Sequence, residues 1–373
     1  MLEFCKECGI PLLVNHGLHW GDNGTITIAG SPKNRMVFFE SDLIDHLFET
    51  IGKLIGMPIA HLVIESRARE TKRYIERSFP PEMRHSKAYK QMSGQTSDPI
   101  TPEEREKHLA AIKGITQTII DISRVYGYGD QRPSDLWDSG GDFAWRTQII
   151  RNPYSLLFIA ADNLASVEVF EETEMRVKFE KVNEDTYEIE VSPGKHPIAL
   201  RERLRRKTYD LKSGDISYEK CPVCGVPLEV AMRKWNIEEG TYSDPDTGRR
   251  MAIFGPSALD AVLDDLESEL GEVIPNAVIE AQRQNLKSAW STDWWNRSAS
   301  SFQHIIAIRG LGNLVTFEGD KNHLTLNIQN ACLPLPMIGT VQGLVEMAYR
   351  AESSTCEWEF ADDGDLNITI KLK

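Results

Sequence analysis

The six cysteines are the residues of this chain whose type and spacing most directly imply chemistry. Four fall in two pairs, Cys5-Lys6-Glu7-Cys8 and Cys221-Pro222-Val223-Cys224, each followed by a glycine. A Cys-x-x-Cys-Gly turn presents two sulfurs on one side of a tight loop, and the glycine lets the backbone reverse there. One such turn is half of a tetrahedral thiolate site. Two supply Cys5, Cys8, Cys221 and Cys224, the four ligands that zinc takes. In a reducing compartment paired cysteines serve metal binding or redox chemistry more often than structural disulfides. Other arrangements stay open. Each knuckle could hold its own zinc, with His16 or His19 completing the first, although no histidine lies near the second. The pairs could be redox-active, although no βαβ pattern surrounds either one. They could carry an iron–sulfur cluster. A shared zinc would be a structural cofactor that adds folding stability, and it would not by itself make an enzyme.

Other candidates for chemistry are less specific. No nucleophile elbow, P-loop, His-Glu-x-x-His or dinucleotide fingerprint is present. Gly127-Tyr128-Gly129 lacks the third glycine of a dinucleotide loop and reads as a helix-ending turn into a strand. Glu65 and Glu280 recur after matching apolar runs. Such a carboxylate could act on a ligand, or be a cap or salt bridge of a common unit. Trp290, Trp294 and Trp295 cluster near Phe302 and His304. Aromatics this dense line a site for a flat apolar ligand, or a core or interface. Cys332 reads as a small buried hydrophobe. The basic run Arg201-Glu-Arg-Leu-Arg-Arg-Lys207 could hold an anion or a partner, or be a solvated helix face.

The elements that must position these residues come from an internal repeat. Cys5-Lys-Glu-Cys-Gly-Ile-Pro-Leu12 matches Cys221-Pro-Val-Cys-Gly-Val-Pro-Leu228. Trp20 matches Trp235, and Gly24-Thr25 matches Gly240-Thr241. Residues 36–65 lie over 251–280 without a gap, with Met36, Phe39, Asp45, Gly56, Ile59, Val63, Ile64 and Glu65 identical. Farther on, Gly127-Tyr-Gly129 matches Gly310-Leu-Gly312, and Asn152 matches Asn330. Strand-like runs at 176–191 and 357–372 close the two copies. Copy one carries 61 residues between Glu65 and Gly127, against 29 between Glu280 and Gly310 in copy two. The surplus, around 80–109, reads as a polar loop or lid followed by a helix that starts at Thr101-Pro-Glu-Glu104.

Each copy therefore predicts a knuckle, a hairpin through Trp20 or Trp235, and a helix over about 42–55 or 257–270. The apolar residues Leu43, Leu47, Ile51 and Leu54 carry the helical period. A second helix is expected over about 58–79 or 275–295, then a third before the Gly-x-Gly turn, then strands. Helices grouped before strands indicate an α+β class: two tandem repeats of a helices-plus-antiparallel-sheet unit. The expected divisions are a knuckle and hairpin at 1–35, a first domain at 36–192, a linker at 193–220, a second knuckle and hairpin at 221–250 and a second domain at 251–373.

Of 373 residues, 41% are hydrophobic and 26% charged, which excludes a wholly disordered or fibrous chain. No apolar run is long enough to span a bilayer. The start, MLEFCKECG, has no basic or apolar leader, so a cytoplasmic protein without membrane contact is expected. A net charge of −14 repels nucleic acid at long range.

The second half of each copy resembles the vinyl-4-reductase domain family of predicted hydrocarbon-binding proteins, whose fold is similar to TRAPP tethering subunits and heme-nitric-oxide-binding domains. The resemblance rests on a helix followed by VYGYG at 125–129 or IRGLG at 308–312, on strands around Asn152 and Asn330, and on 331–348, which looks like the family's Cys…Gly…Gly helix with Cys332, Gly339 and Gly343 at the matching places. It implies a module that senses or carries an apolar or aromatic small molecule. Scaffolding of a partner protein, or work as an enzyme or chaperone on a tetrapyrrole-like cofactor, are the alternatives it allows. Sensor members hold zinc with one early Cys, a Glu and two later Cys. Here Phe360 and Leu366 stand where the later cysteines would be, so that family site is expected to be missing and the knuckles are an addition.

Overall fold

A computed structural model describes residues 2–79, 81, 99, 101–135, 143–205, 209–245, 247–290, 299–320 and 322–373. The fold is mixed α+β with antiparallel sheets. The first part of the chain forms α1 (Leu12–Gly17), β1 (Leu18–Trp20), β2 (Ile26–Ile28), β3 (Ser31–Glu40), α2 (Asp42–Ile55), α3 (Ala60–Ser78) and α4 (Pro102–Val125). Then come β4 (Asp130–Pro133), β5 (Thr147–Arg151), α5 (Leu156–Glu171), β6 (Met175–Lys181) and β7 (Thr186–Pro193). The later part forms α6 (Leu228–Ala231), β8 (Lys234–Asn236), β9 (Thr241–Ser243), β10 (Arg250–Phe254), α7 (Pro256–Leu270), α8 (Val273–Ala289) and α9 (Ala299–Ile308). It ends with β11 (Asn313–Gly319), β12 (His323–Gln329), α10 (Pro334–Tyr349), β13 (Ser354–Phe360) and β14 (Leu366–Leu372).

Local chemistry explains the helix limits. In α2, Leu43, Leu47 and Ile51 are buried on one face with Ile44 and Phe48, while Leu54 is exposed. The helix stops at Gly56, which turns left-handed at φ 77° and donates its amide to Gly52 O. Helix α4 opens with the expected cap: Thr101 accepts from the Glu104 amide, and the Glu104 carboxylate reaches back to the Thr101 amide. Most of 80–100, including the expected loop or lid, lies outside the described residues.

The elements fall into two compact units assembled from non-contiguous segments. Unit 1 takes Met1–Ile59, Glu202–Lys234 and Asp244–Lys373; unit 2 takes Ala60–Arg201 and Trp235–Ser243. This division runs across the consecutive boundaries read from sequence. Two tryptophans give the reason. In unit 1, Trp20 Nε1 donates to Ile308 O at 3.3 Å, and the Gly312 amide donates to Gly24 O at 3.1 Å. In unit 2, Trp235 Nε1 donates to Val125 O at 3.0 Å, and the Gly129 amide donates to Gly240 O at 2.9 Å. Ile308 and Val125 are the last residues of α9 and α4, so each indole satisfies a carbonyl left open at a helix end. Each hairpin thus packs on the Gly-x-Gly turn from the other half of the sequence. The approach is backbone on backbone. A Cβ on Gly24 would lie 2.1 Å from Gly312 O, and one on Gly240 would lie 2.1 Å from Gly129 O.

Unit 1 contains the antiparallel run β1-β2-β3-β10 and a sheet in the order β11-β12-β14-β13. Unit 2 contains a sheet in the order β4-β5-β7-β6. Helices are not all grouped before strands: α10 falls on the helix that the resemblance implied at 331–348, and α5 is its counterpart in the first copy. In both sheets a helix, α5 or α10, lies in the chain between the second and third strands. Helix α5 is buried nearly all round, through Phe158, Ile159, Ala161, Leu164, Ala165 and Val167, and packs on α3. Helix α10 packs on α8, and Gly339 permits the close approach: a Cβ there would lie 2.3 Å from Ile279 O.

Candidate metal centre

The knuckles fold by the same local bonds. The Cys5 amide donates to Ile10 O, the Gly9 amide to Cys5 O and the Leu12 amide to Glu3 O. In the second, the Cys221 amide donates to Val226 O, the Gly225 amide to Cys221 O and the Leu228 amide to Glu219 O. Gly9 and Gly225 take left-handed φ values of 73° and 77°, as the turn requires. Short helices α1 and α6 follow directly.

All four thiols converge. The Sγ atoms of Cys5 and Cys221 are 3.9 Å apart, those of Cys8 and Cys224 are 3.5 Å apart, and all four lie within 4.8 Å of one another. A disulfide would bring sulfurs to about 2.05 Å, and all four cysteines are free. A zinc tetrahedron with Zn–S bonds of about 2.3 Å has edges of about 3.8 Å. The quartet fits such an ion in donor chemistry and in spacing, and it closes without His16 or His19. Among the described residues it is the one cluster of this kind. Cys5 and Cys221 are buried, while Cys8 and Cys224 are half-buried.

The thiols differ in acidity when no ion is bound. The Cys8 backbone amide, aimed at the first sulfur, pulls Cys5 down to about 7, and the Cys224 amide lowers Cys221 in the same way. Burial pushes Cys8 up to about 12 and raises Cys224. The first thiol of each knuckle is therefore the ready ligand, and a metal must displace protons from the second. Cys332 is apart from this centre. It is buried, and desolvation holds it up at about 12.

The aromatic cluster divides. Trp290 and Phe302 line a cavity of about 40 Å3 in unit 1, together with Phe39, Leu286, Met337 and Arg309. His304 is not in that wall; its Nε2 lies 2.7 Å from Glu229 Oε1. Trp294 and Trp295 lie outside the described residues. The cavity also carries a buried ion pair that sequence reasoning missed. Arg309 Nη1 donates to Glu40 Oε1 at 2.5 Å, and Arg309 Nη2 lies 3.8 Å from Asp244, which Arg233 also pairs at 3.2 Å. The Arg309 guanidinium lies 6.0 Å from the Trp290 ring centre. Neither Glu40 nor Arg309 recurs in the other copy, where Gly255 and Tyr126 stand at the matching places, so the repeat gave no signal for them.

The recurring carboxylates both lie against nitrogen-bearing side chains. Glu65 Oε2 lies 2.7 Å from His196 Nδ1, and Glu280 accepts from Arg283 Nε at 2.8 Å. The basic run is not a helix over residues 201–205: Arg203 makes a two-point bond to Asp265 at 2.8 and 3.0 Å, and Arg205 pairs with Glu202 at the surface. No helix among the described residues is long and apolar enough to cross a membrane. No family model, curated protein or solved structure matches this chain.

Proposed function

We propose that the protein is a non-catalytic binding protein in which zinc, held by Cys5, Cys8, Cys221 and Cys224, clasps two knuckles of a duplicated α+β unit. The observation that carries this reading is the convergence of four free thiols within 4.8 Å from positions far apart in the chain. The duplication is supported by the matched hydrogen bonds of the knuckles and by the shared strand order of the two four-stranded sheets. The bound species in this reading is a small apolar or aromatic molecule, sensed or carried beside Phe39, Trp290 and Phe302. Support comes from the apolar lining of that cavity and from the resemblance to vinyl-4-reductase domains.

The cavity's size favours a second reading. About 40 Å3 has room for a water or two, whereas a cavity that takes benzene measures about 150 Å3. An aromatic ring would enter only if the walls move, so a scaffold that binds a partner protein is the alternative. Native mass spectrometry of the purified full chain, with metal analysis of the same sample, separates the readings. One zinc per chain plus an organic mass supports the ligand-binding protein. One zinc with no organic mass supports the scaffold. Iron with sulfide replaces both with redox chemistry.

A further inference from the structure

We infer that His196 is a proton-operated latch, fastening the segment that follows β7 to a pair of buried carboxylates where the matching pair in the other copy is closed by a permanent arginine. The inference rests on side-chain geometry within each unit and does not depend on the proposed function.

In unit 1 the pair is Glu280 on α8 and Glu346 on α10. Arg283 spans it: Nε and Nη2 donate to Glu280 at 2.8 and 2.7 Å, and Nη1 donates to Glu346 at 2.6 Å. Lys287 Nζ and Ser354 Oγ also donate to Glu346, at 2.6 and 2.7 Å. In unit 2 the pair is Glu65 on α3 and Glu168 on α5, both buried. Counting on from the matched Glu65 and Glu280, Lys72 aligns with Lys287; counting on from Asn152 and Asn330, Glu168 aligns with Glu346. Lys72 Nζ again faces the second carboxylate, at 3.6 Å. The residue aligned with Arg283 is Ala68, which lies in the apolar core. The missing cation comes from outside the helix pair. His196 places Nδ1 2.7 Å from Glu65 Oε2 and Nε2 2.8 Å from Glu168 Oε1.

The difference is chemical. A guanidinium keeps its charge at every physiological pH, whereas an imidazole does not. A neutral imidazole donates through one nitrogen only. Here both nitrogens lie against carboxylate oxygens, Nδ1 at 2.7 Å without an aligned hydrogen bond, so both contacts are attractive only when the cluster holds one further proton. Burial raises Glu65 above the usual carboxylate range while His196 pulls it down, so that proton is shared by the cluster. When it leaves, a nitrogen lone pair faces a buried carboxylate at 2.7 Å. The other groups around the ring do not offset this. Glu174 adds a third carboxylate, accepting the His196 amide at 2.7 Å, and the Met175 amide is already committed to Glu168 at 2.8 Å. Lys72 lies against Glu168 only. Arg69 is bonded to the Arg201 carbonyl, and the Arg176 side chain packs under Gly194. Lys195 precedes the ring in the same segment. The closed latch binds one more proton than the open one, so closure weakens as pH rises.

Hydrogen exchange on the full chain between pH 5.5 and 8.5, divided by intrinsic rates, tests this. Amides of residues 195–201 are expected to lose roughly tenfold in protection across that range, the factor for one unit of proton linkage. Residues 273–289, where Arg283 closes the pair, are expected to hold theirs. In His196→Arg the 195–201 protection becomes independent of pH, and in His196→Gln it is low throughout. Flat protection of 195–201 in the unsubstituted chain overturns the latch. So does a wild-type pH profile in either variant, and the unsubstituted measurement decides alone should a variant not fold.

Discussion

The Sγ atoms of Cys8 and Cys224 lie 3.5 Å apart although 216 residues separate them in the chain. Only a folded protein brings the two knuckles together, so an ion bound there draws its affinity from folding and returns it as stability. Replacing Cys8 or Cys224 with serine is expected to remove the ion and cost several kcal/mol, against the ~10–16 kcal/mol that zinc contributes in small finger peptides. Metal content by mass spectrometry and a denaturant midpoint check this. A serine variant that keeps one ion per chain at full occupancy would sink the shared site.

The acidities of the thiols give a second expectation. At pH 7.5 a thiol near 7 is mostly thiolate, whereas one near 12 is so in only ~1 molecule in 30,000. After chelation, alkylation should therefore mark Cys5 and Cys221 and leave Cys332 unmarked while the chain stays folded. The rate at Cys5 should fall as pH drops below about 7, because protonation removes the nucleophile. Peptide mapping that found Cys332 alkylated ahead of Cys5 would contradict the geometry.

The hairpin contacts make a prediction with an internal control. Gly24 and Gly30 share nearly the same left-handed backbone, with φ 73° and 76°. A Cβ on Gly30 meets nothing within 4 Å, whereas one on Gly24 meets Gly312 O at 2.1 Å. Gly30→Ala should cost only the ~1–2 kcal/mol of the backbone conformation. Gly24→Ala must also push two backbones apart and should cost at least twice as much. Equal denaturation midpoints would show that the hairpin does not dock as described.

Much of this was legible in the sequence, and for physical reasons. Spacing alone marks the four cysteines, because a two-ligand turn is a local structure. Helix α2 spans Asp42–Ile55, the stretch that its apolar period marks. The cap at Thr101 is likewise local. What was not legible is long-range or lacks a period. Helix α5 is apolar nearly all round, so no face distinguishes it from a strand region and nothing in the sequence marks its place between strand pairs. Trp20 and Gly24 were matched to Trp235 and Gly240, but nothing in a repeat tells which half each hairpin will dock on. His196 is a lone histidine in a linker. The signal that could have found it is the exchange of Arg283 for Ala68 beside two retained carboxylates.

The Arg309–Glu40 pair beside the cavity is buried, so its worth differs from that of a surface pair. Arg205 and Glu202 also sit 3.0 Å apart, but both are largely exposed. Such surface pairs contribute ~0–1 kcal/mol. Arg205→Ala should leave the denaturation midpoint almost unmoved. Removing one partner of a buried pair leaves the other charged and desolvated, at about 3–5 kcal/mol. Glu40→Ala should therefore destabilise strongly, since Asp244, 3.8 Å from Arg309 and shared with Arg233, replaces only part of the lost attraction. Two variants with matching midpoints would refute the buried pair.

Phe302→Ala decides how far the cavity can serve a ligand. It deletes a ring from a wall whose enclosed space is only about 40 Å3. The deletion should cost about 3–5 kcal/mol, through lost contacts and the void left behind. It should also enlarge the space toward the roughly 150 Å3 that accepts benzene. Thermal shift in saturating benzene or indole then separates two situations. If the walls of the natural protein already move to admit a ring, the unsubstituted chain is stabilised by the ligand, and Phe302→Ala changes the size of that effect. If they do not, only Phe302→Ala responds, and the unsubstituted chain behaves as a packed core. The second pattern would remove the aromatic-ligand reading and leave the scaffold, because a site that must be created by mutation is not one the protein uses.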